Sequence, residues 1–371
     1  VIDRLTITNF KAFANAQIPL SPYTLLSGLN SSGKSTVLQT LALLRQSHDA
    51  LHEEDGGFLL NGDLVELGVG QDVLHEDYVA SDGAEPRIQL ALRCEGIDYS
   101  WSARYEREAD LLRLDEPRDR PAPVLPPALS GAGFQYLRAD RIAPAVSYPR
   151  SHEIAVRRGF LGSRGEHAVN FLRHFQDEPV LHERLHHPQG KSRRLLDQAE
   201  AWMQEICPGV NLQADAIEGT DSVRLSFRFG TAGLSASNRY RPTNVGFGLT
   251  YVLPVVVACL TAKPGGLLLI ENPEAHLHPR GQTGMAMLTC AAAAAGAQVV
   301  VETHSDHVLN GVRLAIKERH FPAEHVLLHY FRRSTRGIEI LNPTVGSDGM
   351  LSDWPEGFFD EWERSLDRLL D

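Results

Sequence analysis

Apolar and polar positions alternate from the start of the chain. Residues 2–10, IDRLTITNF, carry this period-two pattern and predict a half-buried strand running into a turn. A second strand is expected near residues 16–20, and Tyr23-Thr24-Leu25-Leu26 is a short β-prone apolar run. Val37-Leu38-Gln39-Thr40-Leu41-Ala42-Leu43-Leu44 is rich in strong helix formers. Runs at 87–92 and 99–103 flank Gly96 and predict a hairpin, which with the first strands makes a small antiparallel sheet. The segment 117–127, PRDRPAPVLPP, has too many prolines for a helix or a central strand and predicts a linker. Phe134-Gln135-Tyr136-Leu137 follows as a β-like run, and residues 151–207 are rich in helix formers, Arg and His, which predicts a helical insertion.

The last third has α/β character. Residues 223–229 alternate as a strand, 250–260 predict a buried helix, and Gly266-Leu267-Leu268-Leu269-Ile270 reads as a fully buried strand. An alanine-rich helix is expected at 285–295, another buried strand at Gln298-Val299-Val300-Val301, and late strands at 326–331 and 338–341. This succession implies a largely parallel core sheet covered by helices.

Chemistry enters at residues 28–36, GLNSSGKST, which fit the P-loop pattern between the apolar run and the first helix. Glycines at 28 and 33 let successive backbone N–H groups turn inward as a nest for phosphate. Asn30, Ser31, Ser32, Gly33, Lys34, Ser35 and Thr36 are the candidate nucleotide-binding residues, with Lys34 directed at the β/γ-phosphates and Ser35 at Mg²⁺. A P-loop needs an acidic partner, and Glu271, ending the apolar strand in IENPEAHLHP, stands where a Walker B carboxylate belongs. About 30 residues later a buried strand leads through Glu302 into Thr303-His304-Ser305, which puts His304 at the same carboxyl edge of the sheet. Asn244-Val245-Gly246-Phe247-Gly248-Leu249-Thr250 sets two glycines at the start of a helix, a loop able to offer N–H groups to an anion.

Composition narrows the setting. The formal net charge of -11 argues against a protein that coats nucleic acid over its whole surface, while leaving a local basic groove open. Cys94, Cys207, Cys259 and Cys290 lie far apart with no CxxC spacing, so neither a zinc site nor a disulfide framework is indicated, and a reducing cytoplasm is expected. No signal peptide is expected, and the apolar run near 249–260 is too short to span a bilayer.

Together, LTITNFKAF, the P-loop, ENPEAHLHP and VVVETHSDH resemble the ABC-type ATPase heads of the RecF, Rad50 and SMC group, and most closely the stand-alone bacterial AAA ATPases similar to the OLD family. The closing stretch 348–361 resembles the tail of an uncharacterised subgroup of these ATPases. The resemblance implies an α/β P-loop NTPase fold with a mixed core sheet, a small antiparallel β subdomain and a helical insertion. The expected layout is an N-terminal lobe at 1–116, a linker and cleft-lining strand at 117–150, the insertion at 151–215 and a C-terminal lobe at 216–371. It further implies ATP and Mg²⁺ as cofactors, Asn244, Gly246 and Gly248 as a signature loop contacting the γ-phosphate held by a second copy, and His304 as switch histidine. Gln71 would sense Mg²⁺, although Gly70-Gln71 could equally be an ordinary turn, and Arg141 would line the cleft.

Two departures qualify the resemblance. The glutamate that polarises water in ABC heads is replaced by Asn272, so general-base help worth about 10² to 10⁴-fold is missing unless Glu274 substitutes, and slow hydrolysis is expected. The signature-like loop also lacks its usual serine, leaving Asn244 or Thr250 to supply a polar group. No Toprim nuclease of the OLD type is expected after the last strands. The expected function is an ATP-dependent switch dimerising head to head and controlling a separate effector in phage defence or DNA maintenance. The alternatives are a non-hydrolysing ATP-loaded scaffold and a DNA-binding repair ATPase.

Overall fold

The computed structural model describes residues 1–53, 56–78, 85–115, 125–230, 238–335 and 337–370. Its centre is a six-stranded sheet built from β3 (Tyr23–Gly28), β8 (Gln135–Leu137), β12 (Leu267–Glu271), β13 (Gln298–Glu302), β14 (Val326–Ser334) and β15 (Gly337–Leu341). The spatial order is β15-β14-β3-β13-β12-β8, with every pairing parallel except the β14–β15 edge. The unbroken apolar runs of β12 and β13 are buried along their whole length because helices cover both faces.

Side chains of these strands alternate between two cores. Leu267, Leu269 and Val300 join the cluster around α1 (Lys34–Gln46). Leu268, Ile270, Val299 and Val301 join the cluster formed with α6 (Phe247–Leu260), α7 (Pro279–Ala294) and α8 (Asp306–Lys317). The same period-two parity sends the terminal Glu271 and Glu302 to the α1 side, at the carboxyl edge of the sheet. Those two carboxylates face the P-loop for that reason.

On the α1 side lies a four-stranded antiparallel sheet in the order β2-β1-β5-β6, made of β1 (Ile2–Phe10), β2 (Phe13–Pro19), β5 (Arg87–Cys94) and β6 (Ile97–Arg104). A two-stranded sheet, β4 (Gly57–Leu59) with β7 (Leu111–Arg113), sits beside it with the short helix α2 (Gly70–Val73). The hairpin turns at Glu95-Gly96, both at positive φ (52 and 80°), as the glycine there suggested.

The region expected as a helical insertion differs from its expectation. It holds α4 (Ala168–Phe175), α5 (Leu195–Ile206) and a π-type segment at His152–Arg157. Its last stretch, however, is β10 (Val210–Ala216), which crosses the expected boundary at 215 to pair with β11 (Ser222–Phe229) and β9 (Tyr148–Pro149). Alternation of buried Val210, Leu212 and Ala214 with more exposed neighbours is the strand pattern that the helix formers upstream masked. Helices α4 and α5 are not an outlying subdomain, since Leu172, Ala199 and Met203 belong to the same core as Val256 and Val301.

Most of the expected linker, residues 117–124, lies outside the described residues; Leu125 precedes the short helix α3 (Pro127–Ser130). Helix α7 starts six positions earlier than expected, with Pro279 in its first turn, where a missing N–H costs nothing. Helix α8 was not foreseen. It is capped by Ser305, whose Oγ accepts from the Val308 N–H at 3.2 Å. Helix α9 (Glu361–Leu370) is the last described element.

Candidate active site

The P-loop runs from the carboxyl end of β3 into α1, and its backbone requires glycine at two points. Gly28 has φ 136°, and a Cβ there would meet the Phe331 carbonyl oxygen at 2.2 Å. Gly33 has φ 97°, and a Cβ there would stand 2.8 Å from the Phe13 ring. Lys34 is 3% exposed, and its Nζ donates to the carbonyls of Gly28 (2.9 Å) and Leu29 (2.7 Å), closing the side chain back on its own loop. Burial lowers its pKa, with Glu302 opposing the shift. Ser35 Oγ donates to Glu302 Oε1 at 2.9 Å.

An open cavity of about 720 Å³ lies over this loop, a size suited to a nucleotide. All seven candidate residues from Asn30 to Thr36 line it, together with Gln71, Glu271, Asn272 and His304. The structure thus brings the first-half and second-half motifs to one space. Lys11, Gln39, Ala139 and Glu302 line it as well, and none of these four was singled out from the sequence.

Glu271 is already held by donors: Oε1 accepts from Tyr136 Oη at 2.6 Å and Oε2 from the Ala139 N–H at 2.9 Å. Glu302 is different. Its Oε1 meets Ser35, while Oε2 is buried with no hydrogen-bond partner among the described residues, and burial followed by the charge of Glu271 pushes its pKa up to about 7. The donor set fits Mg·ATP: a glycine nest with an unobstructed helix N-terminus, a lysine, a serine hydroxyl and a carboxylate oxygen left without a partner. Among the described residues no group of three His, Cys, Asp or Glu side chains gathers to hold an ion unaided. That suits a cation which completes its shell with phosphate oxygens and water.

Asn272 stands in the left-handed region (φ 44°), its N–H bound to the Glu302 carbonyl at 2.8 Å and its Oδ1 buried without a partner. Glu274 lies off the cavity lining; its Oε1 accepts from the His304 N–H at 2.9 Å, and burial raises its pKa. Its Oε2 is buried with no partner among the described residues. His304 stands exposed at the cavity, with its pKa lowered by partial burial and then by Lys34. Gln71 sits on α2 and accepts from Arg107 Nε at 3.3 Å.

Asn244, Gly246 and Gly248 do not line the cavity. Gly246 caps α6 with open space around it, whereas Gly248 packs so closely that a Cβ would meet the His276 carbonyl at 2.5 Å. Asn244 is exposed and Thr250 only 3% exposed, so Asn244 alone of the two can present a polar group outward.

Arg141 corrects the sequence reading. It is 3% exposed and lies beneath the cleft rather than along it, donating through Nη2 to the Glu271 carbonyl (2.5 Å) and through Nη1 and Nη2 to the Asn272 carbonyl (3.2 and 3.1 Å). Its guanidinium stacks over Tyr251 of α6 at 5.1 Å, and burial depresses its pKa to about 10. Glu302 carried the same signal that flagged Glu271, an acid ending an apolar strand. Lys11 gave no such signal; it enters through a turn at φ 47° and donates from Nζ to Gln39 Oε1 at 2.8 Å.

Comparison with known proteins bears on family and fold. A family model described as "AAA domain, putative AbiEii toxin, Type IV TA system" matches residues 24–310, and "Protein of unknown function (DUF3696)" matches 322–369. No curated protein matches the sequence. Among solved structures, an SMC head bound to the C-winged helix domain of ScpA aligns with TM-score 0.53 and 13% identity over 92% of this chain and 97% of that one. An SMC head domain from Thermotoga maritima aligns at 0.43 and 13% over 92% and 98%, and one from Pyrococcus furiosus with an extended coiled coil, bound to the C-terminal domain of ScpA, at 0.49 and 12% over 100% and 99%. With a P-loop and two strand-end carboxylates around one cleft, the chain belongs to the AAA family described as putative AbiEii toxin, and its fold is similar to that of an SMC head.

Proposed function

We propose that this protein is an ATP-dependent switch: Mg·ATP joins two copies head to head, slow hydrolysis separates them, and the cycle controls a separate effector protein in phage defence or DNA maintenance. The carrying observation is a division of the site. The P-loop, Glu271, Asn272, Glu302 and His304 share one cavity, while Asn244 and Gly246 face solvent at the N-terminus of α6, outside it. A glycine-bearing helix N-terminus turned to solvent is suited to an anion held by another molecule.

Within one copy, Lys34 exchanges its two loop carbonyls for phosphate oxygens and Ser35 presents its hydroxyl to the cation. Bound Mg²⁺ supplies positive charge against the β/γ-phosphate oxygens. Asn272 offers an amide where a carboxylate would take a proton from water, and Glu274 lies off the cavity lining, so turnover is slow. The four free cysteines support a reducing, cytoplasmic setting, and no described helix is long and apolar enough to cross a membrane.

The test is solution mass by light scattering with and without Mg·ATP. Wild type should double in mass with nucleotide, Lys34→Ala should neither bind nor dimerise, and Gly246→Asp should bind nucleotide yet remain single. A wild-type mass that ignores Mg·ATP sinks the switch. Asn272 also favours a second reading, an ATP-loaded scaffold without turnover; hydrolysis above background that disappears in Lys34→Ala eliminates it. The net charge of -11 weighs against a DNA-acting ATPase, and salt-sensitive DNA binding would restore it.

A further inference from the structure

The order of the core sheet puts Glu302 nearer the P-loop than Glu271. Strand β13 lies between β3 and β12, with Glu302 in register with Leu26 on one side and Glu271 on the other. The acid ending the neighbouring strand reaches the P-loop helix, and the acid one strand further away does not: Ser35 donates to Glu302, whereas Glu271 is bound by Tyr136 and the Ala139 N–H. Glu302 is 5% exposed, lines the cavity, and leaves Oε2 without a hydrogen bond among the described residues. Lys34 does not satisfy that oxygen, since its Nζ donates to the carbonyls of Gly28 and Leu29.

A buried carboxylate oxygen with no donor is costly, and a cation arriving with the nucleotide relieves that cost. A serine hydroxyl and a carboxylate oxygen already in contact are suitably placed as neighbouring ligands of one small, hard ion. Resting on the Mg·ATP reading of this cavity, we propose that Glu302 is the carboxylate that ligates the divalent cation beside Ser35, and that Glu271, tethered by Tyr136 and Ala139, acts from one shell further out. The metal's acidic partner thereby sits two residues before His304 instead of directly before Asn272. With a cation bound, Ser35 and Glu302 would hold it as neighbouring ligands, and the ion would supply the positive charge that the Glu302 carboxylate lacks.

The experiment uses the full chain, Mn²⁺ as the probe and a non-hydrolysable ATP analogue. Free Mn²⁺ is counted by electron paramagnetic resonance, and analogue affinity is measured separately in EDTA. Glu302→Gln should weaken Mn²⁺ binding to the nucleotide complex at least tenfold while leaving metal-free analogue affinity within threefold of wild type. Glu302→Asp, which keeps the charge but withdraws it, should fall between the two, and Glu271→Gln should weaken Mn²⁺ less than Glu302→Gln. Mn²⁺ affinity within threefold of wild type in both Glu302 variants overturns the assignment. So does loss of metal-free analogue binding in both, which would make Glu302 a structural brace. A wild-type protein that binds no analogue with or without metal defeats the ATP-head reading itself, a separate outcome.

Discussion

Arg141 grips Asn272 by its main chain: two guanidinium nitrogens donate to the Asn272 carbonyl at 3.2 and 3.1 Å, and Asn272 itself lines the cavity. The same guanidinium bonds the Glu271 carbonyl and stacks on Tyr251, so it ties the end of β12 to helix α6. Removing it strands carbonyls in a buried place. Arg141→Ala should cost about 2–4 kcal/mol, read as a lower urea midpoint. Arg141→Lys should recover less than half, because one ammonium cannot reproduce the planar fork.

Lys34→Met keeps most of the side chain's bulk but removes a buried charge. Calorimetric affinity for Mg·ATP should fall by about 10- to 10²-fold, the worth of charge-assisted bonds to phosphate. Thermal stability without nucleotide should stay level or rise, since the charge of a lysine 3% exposed no longer needs to be desolvated. A drop in stability that matches the lost affinity would point to a structural lysine.

Asn272→Glu restores a carboxylate at the position where ABC heads carry their water-polarising acid. Single-turnover hydrolysis should rise by about 10²-fold, and the ATP-linked dimer should shorten in lifetime. The new acid stands near Glu271 and Glu302, so its gain should grow with pH as repulsion delays its ionisation. Unchanged turnover at every pH would place the base elsewhere.

His329 sets a pH dependence of the fold. It is wholly buried on β14, with Nδ1 at 2.6 Å from Asn342 Oδ1 and Nε2 at 2.8 Å from the Pro19 carbonyl, and burial lowers its pKa. The unfolded chain then binds this proton at higher pH than the folded one. Stability is complete above the ordinary histidine value of about 6.5 and declines as pH falls from there toward the depressed value. His329→Gln should flatten the acid limb of a melting-temperature profile between about pH 7.5 and 5.5. A wild-type profile that is already flat would refute the assignment.

Local pattern carried most of the architecture. The P-loop with its flanking strand and helix, the apolar strands before Glu271 and Glu302, and the Gly96 hairpin were legible because glycine geometry and period-two burial act over a few residues. Strand β10 was obscured by helix formers upstream, and α8 by the polar run Thr303-His304-Ser305 that leads into it.

The sequence by itself determined which residues could do chemistry and that each apolar strand would end in a polar edge. Only the tertiary structure decided which edge residues meet. Strand order is non-local: β13 enters between β3 and β12, so Ser35 finds Glu302 across 267 positions of sequence, while Glu271 is taken by Tyr136 from the opposite side. Packing likewise buried Arg141 beneath the cleft and left Asn244 and Gly246 facing solvent. No spacing along the chain encodes those neighbours, because they follow from how two faces of one sheet are covered.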